Sequence, residues 1–331
     1  MTLLELIVLF VVGLGLLIKG GDWFVDGSVG VARKFHLPEL LIGATIVSIG
    51  TTLPEVMVSA TGALNGQGEM AFGNAIGSVI CNTALICAIT IAVRPAEVDR
   101  KSYFIPVIFF FSASLIHALV SYSTGFYYRW VGILLLAIFV GYMILQIILA
   151  KNNKTDNADL AEPAEEEKEE EKKSPFWKML LLLILGAGCI AVGANFLVHY
   201  GTLIAERIGV PSKVIAITFV ALGTSLPELV TAVTALVKGH SALSLGNIVG
   251  ANLFNLVLVC GVSITLAPFS IPTSTVVAGM NASLLIDLPV MLLVMLLLTV
   301  PTLIRKKISR LQGIILLLIY ATFCSLQFIL S

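Results

Sequence analysis

Long runs of apolar residues, separated by short polar segments, account for most of this chain. Each run is about 20 residues or longer, the length that an α-helix needs to cross the hydrocarbon core of a bilayer. The pattern predicts ten membrane-spanning helices, at roughly 3–32, 38–64, 71–93, 103–122, 130–150, 179–205, 214–237, 242–267, 277–300 and 311–330. The predicted fold class is therefore an all-α, multi-pass integral membrane protein.

Composition excludes the soluble classes. Hydrophobic residues make up 58% and charged residues 12% of the 331 residues, and the mean hydropathy is +1.01. No soluble domain of this length has such a composition. The first apolar run has neither a basic segment before it nor a small-residue cleavage site after it, so we interpret it as a first span instead of a removed signal.

The sequence repeats itself at a shift of 173 positions, without a gap. Gly50 to Glu55 reads Gly-Thr-Thr-Leu-Pro-Glu, and Gly223 to Glu228 reads Gly-Thr-Ser-Leu-Pro-Glu. A second motif, Gly-Asn-x-x-Gly-[Ser/Ala]-x-x-x-Asn, follows about twenty residues later in each half and ends at Asn82 or Asn255. It predicts a second broken element in each half, at Gly73–Ser78 and Gly246–Ala251. Because each repeat holds an odd number of spans, five, the second copy crosses the membrane in the opposite sense, which predicts an inverted-topology pair.

The repeats predict three parts along the chain. Residues 1–150 form the first five-helix repeat, with its motifs at 50–82, and residues 176–331 form the second, with its motifs at 223–255. Residues 151–175 form a hydrophilic linker dense in Glu and Lys, which predicts disorder. This linker offers no loop of fixed oxygen ligands, so we interpret it as a solvated cytoplasmic tether in preference to a Ca2+-collecting segment.

The basic residues predict the orientation. If both termini lie outside the cell, sixteen of the twenty Lys and Arg residues fall in cytoplasmic segments, three fall outside and Lys19 lies within the first span. The positive-inside rule therefore favours an outside N-terminus and an outside C-terminus. The predicted location is the plasma membrane of a prokaryote.

Glu55 and Glu228 lie in the middle of apolar runs. One charged side chain at the bilayer centre costs roughly 2.5 to 3.5 kcal/mol, so two such acids require a cation to offset them. The Gly and Pro of each copy are predicted to interrupt the helix at the acid and to free backbone carbonyls for an ion. Together these features predict a cation site at the membrane midplane.

The side chains that accompany these acids offer only oxygen. The candidate ligands are the hydroxyls of Thr51, Thr52, Ser78, Thr224 and Ser225 and the amides of Asn82 and Asn255. Oxygen ligands with two charges suit hard cations such as Ca2+ and Na+, whereas zinc and copper prefer imidazole and thiolate. The five cysteines have no paired spacing. The histidines are scattered, and His117 and His199 are assigned to packing or interfacial roles in preference to facing a cavity.

These paired motifs resemble those of the cation/Ca2+ antiporter superfamily, in its sodium/calcium exchanger branch. The resemblance covers nearly the whole chain apart from the linker, and it implies two inverted five-helix repeats with a core of four ion-binding helices. It also implies that the first and sixth spans slide across this core. In the binding site that it implies, Glu55 and Glu228 bridge Ca2+ and also ligate Na+, with help from the hydroxyls above and from the backbone carbonyls of Ser48 and Ala221.

The resemblance also separates the possible counter-ions. Potassium-dependent relatives carry Asp where Asn255 stands, and proton-coupled relatives carry Glu where Gly77 and Gly250 stand, so both alternatives are disfavoured. Ala251 occupies a position that is usually Ser, which puts one Na+ site and the stoichiometry in doubt.

The predicted function is secondary active exchange of Ca2+ for Na+ by alternating access. Other cation exchange, proton-coupled or potassium-dependent, and a cation channel remain alternatives. The sequence shows no nucleophile, metal triad or cofactor motif, so neither an enzyme nor a cofactor is predicted. The expected partners are the two ions and the lipid bilayer, with no nucleic acid and with an oligomeric state that the sequence leaves open.

Three further membrane acids lie outside the motifs. Asp22 and Asp26, toward the inner end of the first span, are interpreted as interfacial or interhelical polar contacts, with a role in sliding or ion entrance as the alternative. The pattern assigns no role to Asp287.

Overall fold

The computed structural model describes residues 1–95, 97–156, 175–209, 223–273, 276–277 and 279–330. Within these residues the chain forms ten helices and four strands of two residues each. Nine of these described helices are long and apolar enough to cross a membrane. The prediction of an all-α integral membrane protein is thereby confirmed. The linker lies outside the described residues, apart from the end of one helix and residue 175.

The helices, in chain order, are α1 Leu3–Lys34, α2 Glu39–Leu64, α3 Gly68–Val93, α4 Arg100–Ser123, α5 Arg129–Asp156, α6 Phe176–Arg207, α7 Leu226–Val237, α8 Ser241–Leu266, α9 Ser283–Arg305 and α10 Arg310–Leu330. The strands are β1 Phe126–Tyr127, β2 Phe269–Ser270, β3 Val276–Val277 and β4 Met280–Asn281, paired antiparallel as β1 with β2 and β3 with β4. The seventh span was predicted at 214–237, and its described part is α7.

Helix bounds reproduce the sequence repeat. Leu3 and Phe176 begin α1 and α6, and Lys34 and Arg207 end them, so both ends differ by 173 positions. The same shift carries the bounds of α3 onto those of α8. The two halves therefore begin and end these helices at matching residues, as internal duplication requires.

The repeat loses this register after α8. The ninth span was predicted at 277–300, but α9 begins at Ser283 because β3 and β4 form a hairpin before it. Gly279 lies in the turn with φ +80°, a left-handed conformation that glycine adopts without steric cost. The predicted start of this span was wrong because the apolar composition of the hairpin resembles that of a helix.

Two compact units divide the chain. Unit 1 contains Met1–Thr51 and Met143–Asn247, and unit 2 contains Thr52–Tyr142 and Ile248–Ser331. Each unit therefore combines segments from both sequence repeats.

Close packing of α1 against α6 dominates unit 1. A Cβ atom added at Gly20 would lie 2.8 Å from Cys189 Cβ and 2.9 Å from the carbonyl oxygen of Gly186. On α6, a Cβ at Gly193 would lie 2.7 Å from the carbonyl oxygen of Gly13. Small residues thus let the two backbones come into contact. Helices in a membrane associate through close packing of this kind, because lipid is as apolar as the helix surfaces and no hydrophobic force drives them together.

Two acids of α1 form ion pairs with the residue that follows α7. Lys238 Nζ lies 2.7 Å from Asp26 Oδ1 and 3.4 Å from Asp22 Oδ1. This contact confirms the interhelical interpretation of Asp22 and Asp26. In unit 2, Asp287 Oδ1 accepts a hydrogen bond of 2.7 Å from Gln327 Nε2 on α10, which gives Asp287 an interhelical contact as well.

Candidate ion-binding site

The first motif lies within α2. Thr51, Thr52 and Glu55 are buried, with side chains at most 1% exposed. The predicted helix break here was wrong, because the α-helical segment Ser48–Leu64 continues through Pro54. Proline lacks an amide hydrogen, so the carbonyl four residues earlier, that of Gly50, loses its helical donor while the chain stays helical. The motif frees a carbonyl without ending the helix.

A turn interrupts the second motif, as predicted. Thr224 and Ser225 form the turn, and α7 begins at Leu226 with Pro227 in its first two positions. Glu228 lies in the first turn of α7 and is fully buried. The unsatisfied amides at a helix N-terminus stabilise an anion there, which lowers the cost of keeping Glu228 charged. Ala221 lies outside the described residues.

Both asparagines of the second motif begin a π-helical turn. In α3 the π turn spans Asn82–Cys87, and in α8 it spans Asn255–Val259. The sequence predicted broken elements at Gly73–Ser78 and Gly246–Ala251, but both of these segments are continuous α-helix. The irregularity comes one turn later, at the asparagines themselves. Single π turns are rare inside α-helices and occur frequently at functional sites.

Several buried oxygens of the motifs lack a hydrogen-bond partner within the described ranges. Asn255 Nδ2 donates to the Ala251 carbonyl at 3.0 Å, which leaves Asn255 Oδ1 unpartnered. Within the same ranges, four more buried atoms have no hydrogen-bond partner, namely Thr52 Oγ1, Ser225 Oγ, Asn82 Oδ1 and Asn82 Nδ2. An unpartnered buried polar atom costs about 1 to 3 kcal/mol, and a bound cation would remove that cost for the oxygens.

Asn247 contacts two hydroxyls of the first repeat within unit 1. Thr51 Oγ1 donates to Asn247 Oδ1 at 3.2 Å, and Ser48 Oγ lies 2.9 Å from the Asn247 carbonyl oxygen. A hydroxyl has one hydrogen, so a Thr51 that donates it to Asn247 keeps its lone pairs available for a cation. The Ser48 carbonyl, a predicted ligand, lies 3.4 Å from Thr51 Oγ1. Asn247 belongs to the second motif, but the sequence predicted no role for it.

Apart from Ala221, which lies outside the described residues, the predicted ligands divide equally between the two units. Unit 1 contains Ser48, Thr51, Thr224, Ser225 and Glu228, and unit 2 contains Thr52, Glu55, Ser78, Asn82 and Asn255. All of these residues are buried except the half-buried Thr224. Each unit therefore contains one of the two carboxylates and several neutral oxygens.

Histidine and cysteine take no part in this set. Across the described ranges, no three His, Cys, Asp or Glu residues cluster as a metal centre would require. His117 is fully buried and bonded through both ring nitrogens, to the Tyr127 hydroxyl and to the Leu256 carbonyl, which confirms its predicted packing role. The cation chemistry available here is that of oxygen alone.

Comparison with known proteins gives one family for both repeats. A family profile described as sodium/calcium exchanger protein matches residues 5–148 and 178–329. The sodium/calcium exchanger MaX1 of Methanosarcina acetivorans is 30% identical, in an alignment that covers 97% of this chain and 97% of the relative. The putative antiporter CaxA of Alkalimonas amylolytica is 34% identical over 320 residues, which covers 96% of this chain and 97% of the relative.

Solved structures show the same architecture. The sodium-calcium exchanger NCX_Mj soaked with 2.5 mM Na+ and 10 mM Sr2+ has a TM-score of 0.76 and 30% identity, covering 97% of this chain and 98% of that one. The same exchanger soaked without Na+ and Ca2+ has a TM-score of 0.77 and 29% identity. The similarity extends through both repeats and therefore through all four motifs.

Proposed function

The chain belongs to the sodium/calcium exchanger protein family, from which we infer that it is a secondary active antiporter of Ca2+ and Na+. Both ions are transported substrates, and the protein is a transporter, not an enzyme. The observation that carries the proposal is the presence of two fully buried carboxylates, Glu55 and Glu228, at matching positions of duplicated motifs. Buried charges of this kind in membrane segments mark ion pathways.

We propose that Glu55 and Glu228 provide the charge that binds Ca2+ and Na+. The remaining proposed ligands are neutral oxygens, namely the hydroxyls of Thr51, Thr52, Ser78, Thr224 and Ser225, the amides of Asn82 and Asn255, and the carbonyls of Ser48 and Ala221. The unpartnered oxygens of Thr52, Ser225, Asn82 and Asn255 support this assignment. Ca2+ accepts 6 to 8 oxygen ligands in flexible geometry, so a mixture of this kind suits it.

Charge balance couples the two ions. Without a cation the two carboxylates carry two negative charges, and occluding them against hydrocarbon is costly. One Ca2+ or two Na+ neutralise them, and three Na+ leave one positive charge, so the loaded forms cross and the empty form does not. This penalty makes the protein an exchanger, with the Na+ gradient driving Ca2+ movement by alternating access.

The test is uptake of radioactive Ca2+ into proteoliposomes under three conditions. The vesicles contain Na+, contain K+, or carry an outward proton gradient. An outward Na+ gradient is expected to drive uptake, and equal Na+ on both sides abolishes it. Uptake driven only by K+ or protons would contradict Na+ as the counter-ion. Uptake that follows membrane voltage without any counter-ion would indicate a channel.

We also propose that both termini lie outside, in the plasma membrane of a prokaryote. The excess of Lys and Arg in the predicted cytoplasmic segments supports this orientation. One chain carries every proposed ligand, so exchange requires no second subunit.

Ala251→Ser is expected to lower the Na+ concentration for half-maximal exchange. Position 251 matches Ser78 of the first repeat, and a hydroxyl there adds one neutral oxygen. By analogy with a net hydrogen bond of about 0.5 to 1.5 kcal/mol, apparent Na+ affinity should improve about 2- to 12-fold. The apparent affinity for Ca2+ should change less, because Ca2+ draws mainly on Glu55 and Glu228.

The reciprocal variant Ser78→Ala is the matched control and should weaken Na+ activation. Both constants are measured from Na+ and Ca2+ titrations of flux in proteoliposomes. Equal shifts of the two apparent affinities in Ala251→Ser, or no shift of either, would show that position 251 is not a Na+-selective ligand position.

A further inference from the structure

A chain of hydrogen bonds in unit 2 ends on the π turn of α8. His117 on α4 has its Nδ1 2.9 Å from the Tyr127 hydroxyl oxygen and its Nε2 3.0 Å from the Leu256 carbonyl oxygen. The Ser121 hydroxyl oxygen lies 2.8 Å from the same Tyr127 oxygen. All three side chains are buried, at most 2% exposed.

The chemistry of these groups gives this chain of hydrogen bonds, called the relay below, a direction. A carbonyl oxygen only accepts, so the hydrogen of a neutral His117 ring lies on Nε2 and is donated to Leu256. His117 Nδ1 then accepts from the Tyr127 hydroxyl, which in turn accepts from Ser121. Each hydrogen therefore points toward the π turn, and the Leu256 carbonyl is the final acceptor.

The π turn explains why a backbone carbonyl is available to His117. The Cys260 amide donates to the Asn255 carbonyl, five residues back instead of four. One such turn places an extra residue in the helix and leaves one carbonyl without a helical donor. His117 satisfies the Leu256 carbonyl, which follows Asn255 directly in the chain.

The other end of the relay is held by the fold. Tyr127 belongs to β1 and pairs with Phe269 of β2. Its ring centroid lies 6.0 Å from that of Phe72 and 5.8 Å from that of Phe269. Strand pairing and ring packing together fix the Tyr127 hydroxyl, and through it the orientation of the His117 ring.

The π turn of α3 makes different side-chain contacts. Thr83 stands at the repeat position of Leu256, and its Oγ1 accepts a 2.7 Å hydrogen bond from Asn252 Nδ2. Thr83 Oγ1 also lies 3.3 Å from Met295 Sδ. In the part of the chain that the structure describes, His117 contacts the π turn of α8 and not that of α3.

We propose that His117 is a positioning residue for ion binding, which acts by holding the α8 π turn so that Asn255 Oδ1 keeps its direction. The proposal rests on the proposed function, in which Asn255 is an ion ligand. Without the donor on Leu256, the turn can relax to an α-helix. That relaxation removes one residue from the register and rotates the segments on either side of it by about 100° relative to each other.

Binding measurements on purified protein test this role without requiring transport. Ca2+ affinity and the Na+ concentration that displaces Ca2+ are measured by titration calorimetry. His117→Leu, which removes both ring nitrogens, and Tyr127→Phe, which removes only the hydroxyl, should each weaken cation binding about 3- to 10-fold. His117→Gln keeps an amide donor for Leu256 and should bind more tightly than His117→Leu.

Ser114→Ala is the matched control. Ser114 is buried on the same helix and donates to the Phe110 carbonyl of that helix, so its loss does not reach the π turn. Cation affinity should be unchanged in this variant. If His117→Leu fails to fold, Tyr127→Phe carries the test, because its ring still packs against Phe72 and Phe269.

A double-mutant cycle separates positioning from general stability. His117→Leu and Asn255→Ala should be non-additive, since both disable the same ligand, whereas His117→Leu and Asn82→Ala should be additive. Additive effects with Asn255, or an Asn255→Ala variant with unchanged Ca2+ and Na+ affinities, would overturn the proposal. The proposed function alone would be overturned if the unmutated protein showed no Na+-driven Ca2+ flux while His117→Leu and Asn255→Ala remained non-additive in cation binding.

Discussion

Replacing Glu55 or Glu228 by glutamine is expected to abolish Na+-driven Ca2+ flux while the protein still folds. Glutamine keeps the size of the side chain and one carbonyl oxygen but removes the charge. Losing a charged partner of a buried polar group costs about 1.5 to 3 kcal/mol of binding, or roughly 10- to 150-fold in affinity. A Ca2+ that nevertheless bound would leave one unbalanced positive charge, which costs a further 2.5 to 3.5 kcal/mol, approximately, at the bilayer centre.

Stability should move in the opposite direction. Both carboxylates are fully buried, so a neutral amide removes a desolvation penalty that the folded protein carries when no cation is bound. Each variant should therefore unfold at the same temperature as the parent protein or higher when measured without Ca2+. Unlike the parent protein, it should gain little further stability when Ca2+ is added.

Glu69→Gln provides the control for this pair. Glu69 is an exposed acid at the start of α3, and its carboxylate accepts from Thr273 at 3.3 Å. Flux and Ca2+-dependent stabilisation should be unchanged in this variant. Normal Ca2+ flux in purified Glu55→Gln or Glu228→Gln would remove that residue from the proposed ligands.

The helices were predictable because each rests on a local property of the sequence. A run of about 20 apolar residues must form a helix in a bilayer, since every backbone group has to be satisfied within the segment. The repeat predicted matching bounds, and α1 and α6 follow it to the residue. The hairpin before α9 was missed because two-residue strands and a Gly279 turn leave apolar composition unchanged.

The glycine of the first motif has a role that the sequence could not reveal. It was interpreted as a helix breaker, yet the chain is helical at Gly50. A Cβ there would lie 2.8 Å from Phe24 Cζ on α1, and a Cβ at Gly223 would lie 2.6 Å from Val198 Cγ2 on α6. Both glycines therefore serve close helix packing, a requirement that depends on partners far away in the chain.

The π turns were also beyond sequence reasoning. A π turn is stable only where something satisfies the carbonyl that it releases, and at Leu256 that donor is His117, 139 positions away. The sequence predicted Asn255 as a ligand from its place in the motif. The geometry of its amide, with Nδ2 bonded to the Ala251 carbonyl, comes from the folded helix.

Gly246→Ala is expected to destabilise the protein and to reduce exchange strongly, although it adds only one methyl group. Gly246 on α8 faces the backbone of Leu40 on α2, and a Cβ would lie 3.0 Å from both the Leu40 Cα and carbonyl carbon and closer still to its oxygen. Backbone atoms cannot rotate away as a side chain can, so the two helix segments must separate. Overpacking of this kind costs about 1 to 3 kcal/mol.

The effect should reach ion binding because the next residue is Asn247. Its side-chain oxygen accepts from the Thr51 hydroxyl and its carbonyl oxygen lies 2.9 Å from Ser48 Oγ, so a shift of α8 away from α2 disturbs both contacts. Na+-driven Ca2+ flux should therefore fall by more than the loss of folded protein explains. Thermal unfolding in detergent and flux per folded molecule in proteoliposomes measure the two effects separately.

Gly73→Ala offers a control at the equivalent position of the first repeat. Gly73 also lies inside a helix, but a Cβ there meets no atom of the described residues within 4 Å. Alanine stabilises a helix interior by roughly 0.5 to 1 kcal/mol over glycine, so this variant should be as stable as the parent protein or slightly more stable. A Gly246→Ala variant that matched Gly73→Ala in both unfolding temperature and flux would show that the contact with Leu40 does not constrain the site.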